Sequence, residues 1–126
     1  MVDMKFRICT ICGNMVGMIH SSGVPIICCG EEMKEIIPNS VDASKEKHVP
    51  DVTIEGDMVS VKVGSAPHPM LPEHHIEWIY VQTDCGGERK NLSPGDEPSA
   101  RFGLKDEKAL AVFAYCDLHG LWVKEL

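Results

Sequence analysis

Four of the six cysteines fall within the first 29 residues, as Cys9 and Cys12 in "CTIC" and as the adjacent pair Cys28 and Cys29. Residues 1–37 carry few large apolar side chains, and a piece below roughly 40 residues seldom builds a sufficient core without metal, disulfides or self-association. The pattern therefore predicts a metal knuckle. A three-position offset lets a tight turn aim both sulfurs at one cation, and Gly13 supplies the backbone freedom such a turn uses. Adjacent cysteines form only a strained disulfide with each other, yet two consecutive sulfurs can complete a four-sulfur cage. That cage suits zinc or a single iron. A zinc staple is the default for an isolated CxxC set, and redox CxxC chemistry lacks its strand-then-helix setting here.

The 126 residues suit one ordinary domain, or a small domain beside a tiny one. Lys and Arg number 12 against 19 Asp and Glu, a net charge of −7 with His neutral, and no basic block interrupts it. Nucleic acid and anionic membranes are therefore poor partners. No apolar run approaches the roughly 20 residues of a membrane helix, and "MVDMKFRICTICG" lacks the apolar core of a secretory signal. The expected compartment is the cytoplasm, where thiols stay reduced and clustered cysteines more often hold metal.

"IPNSVDASKEKHVPD" (37–51) is polar, carries proline near both ends and reads as a linker into a second unit. From Asp51 the pattern becomes β-like. "DVTI" and "MVSVKV" flank the turn signal "EGD", and Val59, Val61 and Val63 alternate with Ser60 and Lys62 as in a half-buried strand. Further strands are expected at "IEWIYVQT" (76–83), "ARFGL" (100–104) and "ALAVFAY" (109–115), separated by the turn-rich "DCGGERKN" and "NLSPGDEPS". Short strands spaced by turns favour an antiparallel sandwich.

The later half holds a second group of metal-binding residue types in "KEKHVPD", "APHPMLPEHHIEW" and "CDLHG". Pro67, Pro69 and Pro72 make the segment around His68 and His74 a non-helical loop whose side chains can turn inward together. Cys116 and His119 repeat the offset of CTIC, and a thiolate with an imidazole grips a borderline-soft metal rather than calcium or magnesium. A cysteine nucleophile with a histidine base would need an orienting third group, and none is recognisable. His20 reads as a surface residue and Cys85 as a spare thiol.

Taken in order, CxxC, CC, "VDASKEKHVP", "HPM", a second His six residues after the first, "IEW" and "CDLHGLW" resemble desulfoferrodoxin, the two-iron form of superoxide reductase, over nearly the whole chain. The replacement of a second CxxC by CC also favours a rubredoxin-like iron over a zinc ribbon. The resemblance implies a mainly β protein: a desulforedoxin-like domain at 1–37 and an immunoglobulin-like sandwich at 38–126, assembled as a homodimer. It implies two irons per chain. One would be held by Cys9, Cys12, Cys28 and Cys29, the other by His48, His68, His74 and His119 with Cys116 as axial ligand. His74 keeps the family's interval from His68, and His75 stands where relatives often carry an aromatic residue. Glu46 corresponds to a flexible carboxylate that occupies the sixth position of the oxidised iron, and Lys47 to a lysine facing the open side. Where the family pattern has Glu two residues before the axial cysteine, this chain has Ala114, a change that removes no ligand.

The activity implied is one-electron reduction of superoxide to hydrogen peroxide at a ferrous site with an open sixth position, with electrons from a rubredoxin-type donor. Two other readings use the same residues: a zinc-stabilised binding module and a pure electron carrier. Both predict no reaction with superoxide, and five ligands with a loose carboxylate suit a closed zinc site poorly.

Overall fold

A computed structural model describes residues 3–126. The chain divides into two compact units, Asp3–Ile37 and a larger one from Pro38 to Leu126. No helix among the described residues is long and apolar enough to cross a membrane.

In the first unit, strand β1 (Lys5–Ile8) lies between β2 (Met15–Met18) and β5 (Lys34–Glu35), antiparallel to both. A two-residue ladder joins β3 (Ile27–Cys28) to β4 (Glu31–Glu32). Phe6, Cys9 and Met33 are its buried apolar side chains, a core too small to hold such a piece by burial alone. Ile11, Ile19, Val24, Ile27 and Ile37 remain exposed.

The second unit starts with one helical turn, α1 (Lys45–His48), inside the segment expected to be a plain linker. Seven strands follow: β6 (Pro50–Glu55), β7 (Met58–Val63), β8 (Ile76–Thr83), β9 (Gly86–Asn91), β10 (Ser99–Gly103), β11 (Ala109–Cys116) and β12 (Gly120–Glu125). They form two antiparallel sheets, ordered β10-β7-β6 and β12-β11-β8-β9. This three-on-four layout is an immunoglobulin-like sandwich. Val59, Val61 and Val63 of β7 turn inward, as their alternation predicts, and meet Ile76, Ile79 and Val81 of β8, Phe102 of β10, and Val112 and Ala114 of β11. Central strand β11 is buried along nearly its whole length.

Two strands depart from the sequence reading. "GGERKN" forms edge strand β9 paired with β8, although all six residues are exposed and show no alternation. Strand β12 forms at the "GLW" end because it pairs with β11 from Cys116↔Gly120 to Ala111↔Glu125.

The strand directions decide where the metal-binding residue types gather. The start of β6, the end of β7, the start of β8, the end of β11 and the start of β12 all lie at one end of the antiparallel sandwich. The histidine-bearing loops emerge there.

Candidate metal centres

The four cysteines of the first unit come together. Their sulfurs all lie within 4.8 Å of one another. Cys9 directly follows β1, and the turn after it closes with the Gly13 N–H donating to the Cys9 carbonyl at 2.9 Å. The adjacent pair is explained by a turn. Cys28 ends β3, while Cys29 (φ 53°) and Gly30 (φ 76°) form the two-residue connection to β4 with both residues in the left-handed region. That is the backbone of a tight primed hairpin, and it re-aims the second sulfur towards the first. Gly30 meets the requirement at little cost, whereas a cysteine at position 29 accepts strain to place its thiol.

The polar groups around these sulfurs are N–H donors of the kind that favour thiolates. The Cys12 N–H points at Cys9 Sγ and the Asn14 N–H at Cys12 Sγ, each at 3.5 Å, and Asn14 Nδ2 lies 3.6 Å from Cys28 Sγ. The backbone N–H groups of Cys12 and Ile11 hold the Cys9 thiol down, at about 6. Its neighbours Cys12 and Cys9 push Cys29 up to about 12. Cys28 is also raised: Asn14 favours its thiolate, but the Cys12 and Cys9 sulfurs outweigh it. One thiolate thus forms readily, whereas Cys28 and Cys29 resist taking on charge. A bound cation relieves that conflict and releases protons as it enters.

In the second unit, four imidazoles close a ring. Successive centroids, His48–His68, His68–His74, His74–His119 and His119–His48, are 4.7, 4.7, 5.0 and 4.9 Å apart, each pair edge to face, and the His48–His74 diagonal is 6.4 Å. Ligand atoms of His48, His68, His74 and Cys116 lie within 4.8 Å of one another. His119 joins through Nδ1, which is 3.1 Å from His48 Nε2.

Backbone carbonyls set the tautomers. His48 Nδ1 lies 2.6 Å from the Ser44 carbonyl and His68 Nδ1 lies 2.7 Å from that of Pro69, so each ring carries its proton at Nδ1 and turns an Nε2 lone pair inward. Burial lowers the pKa of both rings, with His68 at about 4. Neutral imidazole is the form a metal needs. The Nε2 atoms of His68 and His74 are buried without a hydrogen-bond partner, which is costly unless a cation takes the lone pair.

Cys116 is fully buried at the end of β11 and accepts the His119 N–H at 3.4 Å. Register with β8 slips between Tyr115↔Trp78 and Cys116↔Ile76, an irregularity of the kind that re-aims side chains beside sites. Burial pushes the Cys116 thiol up, so its thiolate also calls for a cation. Four nitrogens and one sulfur form a mixed donor set that fits iron.

Trp122 supports this ring in a way the sequence did not reveal. It stacks on His48 at 5.0 Å and 24°, and its Nε1–H donates to the His119 carbonyl at 3.1 Å. A "GLW" ending reads equally well as core packing, so only the contact distinguishes it. The side chains of Glu46 and Lys47 are exposed on the same turn as buried His48. His20 is exposed, Cys85 is exposed in the β8–β9 turn, and Ala114 is buried opposite Ile79 and Trp122.

Two family models match the chain: Desulfoferrodoxin over residues 40–125, and the Desulfoferrodoxin N-terminal domain over residues 3–36. A desulfoferrodoxin homolog of Archaeoglobus fulgidus is 47% identical over 114 residues, covering 90% of each chain. The desulfoferrodoxin of Syntrophotalea carbinolica is 45% identical over 117 residues, 93% of this chain and 92% of that one. The crystal structure of the superoxide reductase from Treponema pallidum superposes with a TM-score of 0.83 at 35% identity, covering 98% of this chain and 100% of the other. Matches at this level along both units establish that the chain belongs to the desulfoferrodoxin family.

Proposed function

We propose that this chain is a superoxide reductase that carries out one-electron reduction of superoxide to hydrogen peroxide. The observation that carries the reading is the closed ring of four inward-facing imidazoles with the Cys116 sulfur beside it. In this reading His48, His68, His74, His119 and Cys116 hold one iron, and Cys9, Cys12, Cys28 and Cys29 hold another. Ferrous iron at the first of these sites would supply the electron and a Lewis-acidic position for the oxygen anion.

The protein's own groups do the rest. Carbonyls of Ser44 and Pro69 keep His48 and His68 neutral and oriented. Trp122 fixes His48 and the His119 main chain from the buried side. Lys47 draws the anion locally, although the whole chain carries −7, because salt screens distant charge beyond about 8–10 Å. Solvent, which reaches this exposed turn, would supply the two protons of the product. Glu46, exposed on the turn that carries His48, would be the carboxylate available to the oxidised iron.

The division of labour assigns the four-cysteine iron to residues 1–37 and catalysis to 38–126. A rubredoxin-type protein would donate the electrons. Homodimer formation would cover the apolar side chains exposed on the small unit, and the reduced cysteine sets suit the cytoplasm.

Metal content per chain and the visible spectrum, taken before and after adding superoxide, test the reading. Two irons are expected, one with four-sulfur colour and one gaining a thiolate-to-ferric band on superoxide addition. Two colourless zincs after expression with ample iron would replace the enzyme by a zinc-stabilised binding module.

A further inference from the structure

Asp117 is the single carboxylate among residues 112–119 and directly follows Cys116. Its Oδ1 accepts the His75 N–H at 2.9 Å, and its Oδ2 lies 3.3 Å from His75 Nδ1. Its own N–H donates to the His75 carbonyl at 3.1 Å. Asp117 and His75 therefore close a reciprocal pair between the end of β11 and the start of β8. His75 directly follows His74, whose N–H and carbonyl exchange hydrogen bonds with Leu71 at 3.1 and 2.9 Å. His74 is thus held on both sides along the chain, and the second hold is anchored beside Cys116.

Building on the function proposed above, we propose that Asp117 is a positioning residue: its Oδ1 acceptor sets the spacing between His74 and Cys116, and through it the grip of the mixed centre on iron. The two ligands come from different elements, and a metal tolerates little error in their separation. The oxygen matters here as an acceptor. Its negative charge is a liability beside the sulfur, because Cys116 Sγ lies only 4.0 Å from the same Oδ1. Asparagine, which keeps the acceptor and drops the charge, should serve as well. Glutamate keeps the charge but moves the acceptor by one methylene, and should not.

The test uses the full iron-loaded chain and follows iron release from the mixed centre to a chelator at its visible band, with the four-sulfur colour as internal reference. Asp117→Ala is expected to release this iron roughly 10–100-fold faster, the usual range for losing a partner that orients a ligand, with a shifted band. Asp117→Glu should move the same way, and Asp117→Asn should retain wild-type behaviour. The exposed position of Asp117 keeps the glutamate variant informative even if the alanine variant fails to fold. Wild-type release and band position in Asp117→Glu would overturn the proposal, as would an asparagine variant that loses iron as fast as glutamate. A wild-type chain that takes up ferrous iron at its four cysteines alone would sink the functional reading and this inference together.

Discussion

Lys47 and Glu46 share one exposed turn with buried His48, so their charges reach solvent while their backbone stays close to a candidate ligand. Lys47→Ala should slow association with superoxide and weaken its dependence on ionic strength, as measured by pulse radiolysis. An unchanged rate would remove the steering role. Glu46→Ala should leave that step nearly intact but alter the oxidised spectrum, and superimposable spectra would show that Glu46 is no ligand. Trp122 offers a separate test. Trp122→Phe keeps an aromatic face against His48 but leaves the His119 carbonyl without its indole donor, a loss of about 1–3 kcal/mol in chemical denaturation. A change near zero would mean that this carbonyl finds another donor.

Among the elements, α1 depends on a close approach by the turn after β7. The Glu46 carbonyl accepts the Ala66 N–H at 2.9 Å and the Ser65 hydroxyl at 3.3 Å. A Cβ on Gly64 would lie 2.5 Å from that carbonyl oxygen and 2.9 Å from that of Val49, both backbone atoms that cannot swing aside. Gly64→Ala should therefore displace α1, cost about 1–3 kcal/mol and weaken iron binding at the histidine site with the four-sulfur spectrum intact. Normal stability and iron affinity would show that the turn yields freely. At the β8–β9 turn, the Lys108 N–H donates to the Asp84 carboxylate at 3.0 Å and holds its pKa below the usual value. A carboxyl depressed in the folded state stabilises it above the ordinary carboxylate pKa, and the contribution fades as pH falls through the folded value. Asp84→Ala should thus lower Tm at neutral pH, with the gap closing in strong acid. An equal gap at both extremes would assign the effect to packing.

At the scale of the whole molecule, the two units draw on different sources of stability. The sandwich has an extended core of valine, isoleucine and phenylalanine, whereas Asp3–Ile37 buries Phe6 and Met33 beside a cluster of four cysteine sulfurs. Removing the metal, or substituting Cys12→Ser, should abolish amide exchange protection in 3–37 while β7, β8 and β11 stay protected. Protection persisting in the small unit would show that its strands hold without the cage. The sequence by itself determined the chemistry available: CTIC with CC, the histidines of "KEKH" and "HPMLPEHH", and the CDLH knuckle name the donor types, and the alternation of Val59, Val61 and Val63 names an inward strand face. These signals are local, carried by residue type and spacing. The exposed edge strand β9 left no such trace, because "GGERKN" becomes a strand only through pairing with β8. The closing of four imidazoles from α1, the β7–β8 loop and the β11–β12 hairpin into one ring was likewise decided by antiparallel strand direction. Tertiary contacts alone made Trp122 a support for the His48 ring and the His119 main chain and Asp117 a partner of His75, since each joins residues more than 40 positions apart or a ring to a backbone carbonyl.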